Sequence, residues 1–273
     1  MVFEIAFAIH GFITYTTYVY SNKGKKNGVR EERIILGMWS EDDFDLIVRE
    51  AVRFNDPGER IDFISEKFLN TPYKESTLTG SSAEHEIFVI NLGGVDCFTF
   101  IDYVEAARLS GSFDEFKENL KKTRYQSGEV DYRKRNHFFT DWVEYNGLHV
   151  HDATGDIGGN KVKKAKKILN TKKDGSCFLQ GIIPREREII LIPVNDMDPS
   201  VIAEMRTGDY AGIYSELPGL DVSHAGIIIK KRNDETFFRH ASSLKQYRKV
   251  IDQPLKEYLS DKAGLVILRP ILS

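Results

Sequence analysis

Cysteine and histidine carry the covalent chemistry available to this chain, and one cysteine stands where it could act. Cys97 follows Gly93-Gly94-Val95-Asp96, a glycine-opened approach that ends on a helix-capping aspartate. It therefore falls in the first turn of a helix predicted over residues 96–109. A thiolate is a nucleophile and a thiol is a poor one; a helix N-terminus and a neighbouring imidazolium are two devices that lower a thiol's pKa. Unpaired backbone N–H groups at the same place can hold an oxyanion. Against this, a small buried cysteine is among the commonest core residues, so position alone leaves nucleophile and packing both open.

The second device is supplied by His224. It sits in Asp221-Val222-Ser223-His224-Ala225-Gly226-Ile227-Ile228-Ile229, a run that reads as a buried strand. Gly226, two residues along on the same face, leaves space beside the imidazole. His224 lies 127 residues beyond Cys97, so the two can meet only through the tertiary fold. A third member follows from register. If the strands from Val222 and from Thr236 form a hairpin around Asn233 and Asp234 in an even register, even-numbered residues pair with even-numbered ones. His240 then lies opposite or diagonal to His224 on one face, within side-chain reach. A base needs a third group to orient it, and an imidazole can serve. An odd register would separate the two histidines.

Other constellations carry weaker chemistry. His137 and Asp141 stand one helical turn apart next to Trp142, so they could line a groove, although aromatic residues at such spacing are more often core. His149, His151 and Asp152 have the residue types of a zinc site, but no third ligand of clear spacing accompanies the two histidines. Cys177 has neither a base nearby nor a helix start, and reads as packing. A bridge from it to Cys97 would remove the catalytic reading.

Positioning these residues requires an α+β domain. Ser40 caps a helix with Glu41, Asp42 and Asp43 in its first turn; residues 60–68 and 113–122 read as further helices. Residues 188–194, 209–214, 222–231, 236–241 and 265–269 read as short strands. Helices first and strands later argue against a repeating βαβ sheet. The 273 residues suffice for one large domain, placed here at 34–273, with 1–33 as an N-terminal segment. Residues 5–20 are apolar but too short for a comfortable membrane span. They lack the basic start of a secretion signal, so a degenerate export signal or anchor and an ordinary strand or helix stay open; Lys23, Lys25 and Lys26 follow in a linker-like stretch. A net charge of −3 gives no reason to expect nucleic acid, and two cysteines are too few for a disulfide framework. Residues 161–173 hold seven lysines, expected to be a solvated helix face, with attraction to an anionic polymer as the functional alternative.

The ordered series of motifs resembles the NlpC-type papain-like peptidases of bacterial cell walls, and within them the branch described as N-acetylmuramoyl-L-alanine amidase-like. It comprises Thr71-Pro72-Tyr73, Val95-Asp96-Cys97-Phe98-Thr99-Phe100, Arg124-Tyr125 with Gly128, His137-Phe138-Phe139-Thr140-Asp141-Trp142, Gly208-Asp209, Pro218-Gly219-Leu220-Asp221, Ser223-His224-Ala225-Gly226-Ile227, His240-Ala241-Ser242 and Leu268-Arg269. The resemblance spans residues 34–269. It implies a papain-like NlpC-type fold, with N-terminal helices packed on a C-terminal antiparallel sheet or barrel. It further implies Cys97 as nucleophile, His224 as general base and acid, and His240 as orienting residue. Tyr73, Asp96, His137, Asp141, Trp142 and Asp221 would then be oxyanion or substrate residues. The substrate expected is peptidoglycan or a muropeptide, cut between muramic acid and L-alanine or within the stem peptide, without metal or cofactor and without a stable membrane span. The location expected is the cell envelope, the periplasm or outside the cell. A non-catalytic wall-binding module of the same fold and a zinc-dependent amidase are the alternatives.

Overall fold

The computed structural model describes residues 19–21, 32–232 and 235–272. Most of the N-terminal segment 1–33, including its linker-like stretch, lies outside these residues, as does the predicted hairpin centre at Asn233 and Asp234. β1 (Val19–Ser21) pairs antiparallel with β2 (Glu32–Ile35), so the boundary expected at residue 34 falls inside a strand. α1 (Glu41–Ala51) opens as its residue types require. The Ser40 hydroxyl accepts the Asp43 N–H at 3.1 Å, and Asp43 accepts the Ser40 N–H at 2.9 Å, closing a capping box. α2 (Pro57–Lys67) starts on Asp56 with proline in its first turn, and β3 (Phe88–Asn91) lies parallel to β2.

α3 (Cys97–Arg108) is the centre of the molecule. Every residue of α3 from Thr99 to Arg108 is buried, because neighbours pack on all its sides. α4 (Phe113–Arg124) covers it on one side and α2 on another. Its polar residues are accordingly paired. Arg108 binds Glu105 at 2.5 Å, the Tyr210 hydroxyl donates to Glu105 at 2.7 Å, and Arg124 reaches Asp102 at 3.0 Å. Removing one partner from such a buried pair costs about 3–5 kcal/mol.

α5 (Asp141–Tyr145), β4 (Val150–Asp152), α6 (Thr154–Gly158), β5 (Lys163–Leu169), β6 (Arg185–Pro193), α7 (Pro199–Glu204), β7 (Tyr210–Tyr214), β8 (Val222–Lys230), β9 (Thr236–Ala241), β10 (Val250–Pro254), α8 (Leu255–Tyr258) and β11 (Gly264–Pro270) complete the chain. The large sheet has the order β10-β9-β8-β7-β11-β6-β5 with β4 against β11, every pairing antiparallel. This is the α+β architecture the element pattern predicted. The lysine-rich run corrects one expectation: it is the edge strand β5, not a helix. Its pairing with β6, from Lys163 opposite Leu191 to Leu169 opposite Arg185, outweighs the helix-forming tendency of lysine. Lysine on a sheet edge also discourages pairing with another chain. Among the described residues no helix is long and apolar enough to cross a membrane.

Candidate active site

The face of α3 that packs on β8 and β9 brings the chemistry together. Asp96 caps α3: its Oδ1 accepts the N–H groups of Phe98 at 3.1 Å and Thr99 at 2.7 Å, while Thr99 Oγ1 accepts the Asp96 N–H at 3.0 Å. Cys97 is therefore the first helical residue, half-buried. Burial pushes its thiol up, to about 12, and the Asp96 charge adds to this; hydrogen bonds from the N–H groups of Ala225, Cys97 and Phe98 pull the other way. The Ala225 contact seats the sulfur against β8, one residue along the strand from His224.

The predicted register is present. Ile228 pairs with Phe238 and Lys230 with Thr236, so even residues face even residues, and His224 Nε2 lies 2.7 Å from His240 Nδ1. The space expected beside Gly226 is filled: a Cβ there would meet the Phe238 ring at 2.7 Å, and that ring stacks on His240 with centroids 4.9 Å apart. Burial holds both imidazoles neutral, His224 pushed down to about 3 and His240 to about 4. Two residues absent from the sequence-based expectations complete the cluster. Gln253 Oε1 lies 2.8 Å from His240 Nε2, and the Tyr258 ring packs on His240 at 4.8 Å and on His224 at 6.2 Å. Tyr73 bridges to Val95 on the approach to α3, close enough for the Cys97 charge to act on it. Its segment is held to the approach of α3 by Val95 N–H to Pro72 O at 3.0 Å and Lys74 N–H to Val95 O at 2.9 Å. Burial, with the Cys97 and Asp96 charges behind it, raises the Tyr73 hydroxyl pKa, so the phenol keeps its proton.

Residues 63–265 match the family described as AmiA-like, N-acetylmuramoyl-L-alanine amidase-like. The chain belongs to this family. No curated protein sequence matches it. Among solved structures, the AmiA-like chain is similar to a Legionella pneumophila protein of the DUF1460 family, at 25% identity and a TM-score of 0.71 over 85% of this chain and 94% of that one. It is also similar to an N-acetylmuramoyl-L-alanine amidase of Bacteroides uniformis, at 25% identity and a TM-score of 0.62 over 84% and 99%. A Bacteroides fragilis protein with a provisional xylanase name matches at 29% identity and a TM-score of 0.60 over 75% and 98%.

The remaining expected site residues of the AmiA-like chain stand elsewhere or have other work. The Asp96 carboxylate is engaged by its own helix, and a carboxylate cannot stabilise an oxyanion. Asp141 is fully buried: it accepts the N–H groups of His137 and Phe138 at 3.1 Å each and pairs with Arg185 and Arg187. Trp142 is also fully buried, edge-on to Phe98 at 6.2 Å and to Tyr210 at 5.1 Å. Buried Asp221 accepts the N–H and hydroxyl of Thr140 at 2.8 and 2.9 Å. These three hold residues 137–142 in place behind the first turn of α3; they present no open polar group to a substrate. His137 differs. Its Nε2 bonds Tyr132 O at 2.8 Å, and it lines a cleft with Arg133, Arg135, Phe138, Tyr145 and Arg185. His149 and His151 gather no third ligand, and no metal-ligating group of three occurs among the described residues. Cys97 and Cys177 are both free thiols.

Proposed function

We propose that the chain is a papain-like, NlpC-type cysteine amidase that hydrolyses an amide of peptidoglycan, between muramic acid and L-alanine or within the stem peptide. The observation that carries this reading is the His224–His240 contact at 2.7 Å on the strand whose Ala225 N–H touches the Cys97 thiol. A binding module has no use for a helix-start thiol seated on the strand that carries one of two hydrogen-bonded imidazoles. With the thiol held high and the imidazole low, the resting pair is neutral. The nucleophile forms as His224 takes the thiol proton while sulfur attacks the carbonyl carbon. The tetrahedral oxyanion takes hydrogen bonds from the Cys97 N–H, which the Asp96 cap leaves unused, and from the protonated Tyr73 hydroxyl. His224 then gives the proton to the departing amine, leaving a thioester; water, deprotonated by His224, releases the carboxylic acid and restores the thiol.

Two further features support the substrate class. The cleft beside His137 has three guanidinium groups and no carboxylate on its wall, since Glu86 and Asp141, which pair Arg135 and Arg185, lie behind it; this suits an acidic stem peptide. A glycosidase instead needs two carboxyl groups flanking the bond, and the carboxylate adjoining Cys97 is a helix cap. Work on peptidoglycan places the protein in the envelope or outside the cell.

Mass spectrometry of products from defined muropeptides tests the reading. Release of intact stem peptide, or of a fragment of it, that stops with iodoacetamide and persists with a chelator is expected. Full activity in Cys97→Ala would refute the mechanism, and chelator sensitivity with thiol insensitivity would move the case to zinc.

A further inference from the structure

We propose that Gln253 is a positioning residue that fixes the tautomer of both imidazoles and so makes His224 Nδ1 the basic atom of the site. The proposal deepens the cysteine-amidase reading and rests on it for its catalytic consequence. In the β9–β10 pairing Ile251 faces His240 and Gln253 faces Phe238, so Gln253 lies diagonal to His240 on the same side of the sheet. Its Oε1 stands 2.8 Å from His240 Nε2.

An amide oxygen only accepts, so His240 Nε2 carries the hydrogen. A neutral imidazole has one N–H; His240 Nδ1 is then an acceptor. It lies 2.7 Å from His224 Nε2, which must donate to it. One lone pair is left in the relay, on His224 Nδ1. Reversing the relay would put an N–H there and remove the base. Packing keeps the rings from turning: His240 lies between Phe238 at 4.9 Å and Tyr258 at 4.8 Å.

The choice of glutamine has a chemical consequence. Glutamate would accept the same hydrogen bond but add a negative charge, favouring imidazolium and stranding the proton that the leaving amine needs. The charges around the pair are Lys262, which disfavours protonation of His224, and Asp252, which favours it at His240. Asp252 is itself bound by Arg239 at 2.7 Å. Cys97 from α3 and Tyr258 from α8 are the remaining titratable groups at the cluster. Gln253 thus orders the tautomers with no charge of its own.

Nitrogen-15 NMR of the histidine rings in the whole protein reads the tautomers without substrate. Both His224 and His240 are expected as Nε2–H forms near neutral pH; an Nδ1–H form of either overturns the proposal, even if the enzyme is active. Gln253→Leu should mix the tautomers and lower kcat at least about 10-fold with KM unchanged. Gln253→Glu keeps the acceptor, so it should hold the tautomers while raising the ring pKa values by about one unit in an NMR titration and the acid limb of kcat/KM by the same amount. Wild-type tautomers in Gln253→Leu, or wild-type titration in Gln253→Glu, would equally sink it. Wild-type protein with the expected tautomers and no muropeptide hydrolysis would instead remove the amidase reading and leave the tautomer assignment standing.

Discussion

At the scale of single residues, the site opposes two groups whose protonation burial has driven apart, a thiol that holds its proton and imidazoles that refuse one. Asp96 contributes to this opposition, because its carboxylate caps α3 and at the same time raises the thiol pKa. Asp96→Asn should keep the cap and remove the charge, at a stability change within about 1 kcal/mol. The pH at which iodoacetamide alkylates Cys97 should then move down, and an unmoved alkylation profile would show that the charge is not felt at sulfur. The imidazoles tie stability to pH. His240 is pushed down to about 4 when folded, against an ordinary value near 6.5. Below pH 6.5 the unfolded chain takes up a proton that the folded one does not, so stability is full above that pH and falls as pH drops toward 4. Each pH unit in this window costs about 1.4 kcal/mol for this residue. His240→Asn lacks the term. Its stability relative to wild type should improve by about 2 kcal/mol between pH 6.5 and pH 4.5 in urea unfolding, and a difference independent of pH would mean that His240 titrates normally in the fold.

At the scale of elements, what could be read in the sequence was what local chemistry dictates. Ser40 and Asp96 opened their helices as their side chains require, and the even register of the β8–β9 hairpin, one of the two parities a turn there allows, put His240 against His224. Gln253 and Tyr258 escaped because they join the cluster through a further strand and the short helix after it, whose registers no turn motif announces. The lysine run was misread as helical since its partner strand, not its own periodicity, decides β5. Groove and core both stayed open for Asp141 and Trp142 because a polar–aromatic pair looks alike whether it faces a cleft or a core; burial, set by packing from distant strands, separates the two. The β8–β9 pair also makes Gly226 a test of site geometry. A methyl there would meet Arg239 O at 2.6 Å and the Phe238 ring at 2.7 Å. Gly226→Ala should therefore displace Phe238 from its stack on His240. Loss of muropeptide hydrolysis under conditions where melting shows the variant still folded is the expected result; retained activity would show that the stack does not hold the imidazole.

At the scale of the whole molecule, the chain divides its labour between two ends of one buried assembly. α3 carries the thiol at its first residue, and residues 137–142, clamped by Asp141 and Asp221, are locked behind that turn by Trp142 against Phe98. The cleft of His137 and the arginines is thereby fixed relative to the thiol through packed contacts, so a ligand seated in it would be presented at a constant distance from Cys97. Most of the guanidinium groups there are held: Arg135 by Glu86, and Arg185 by Asp141 and Tyr145. Arg133 is exposed and lines the same cleft, and among the described residues its side chain forms no ion pair. It is the arginine with a charge to offer a ligand, and losing it should leave the fold intact within about 0.5 kcal/mol. If the cleft takes the acidic stem peptide, Arg133→Ala should raise KM several-fold for a muropeptide with a free stem carboxylate and leave kcat unchanged, because the lost contact is equally strong in ground and transition states. The same substitution should do little for a substrate whose carboxylate is amidated. An equal KM for both substrates, before and after the change, would place the acidic part of the peptide elsewhere on the molecule.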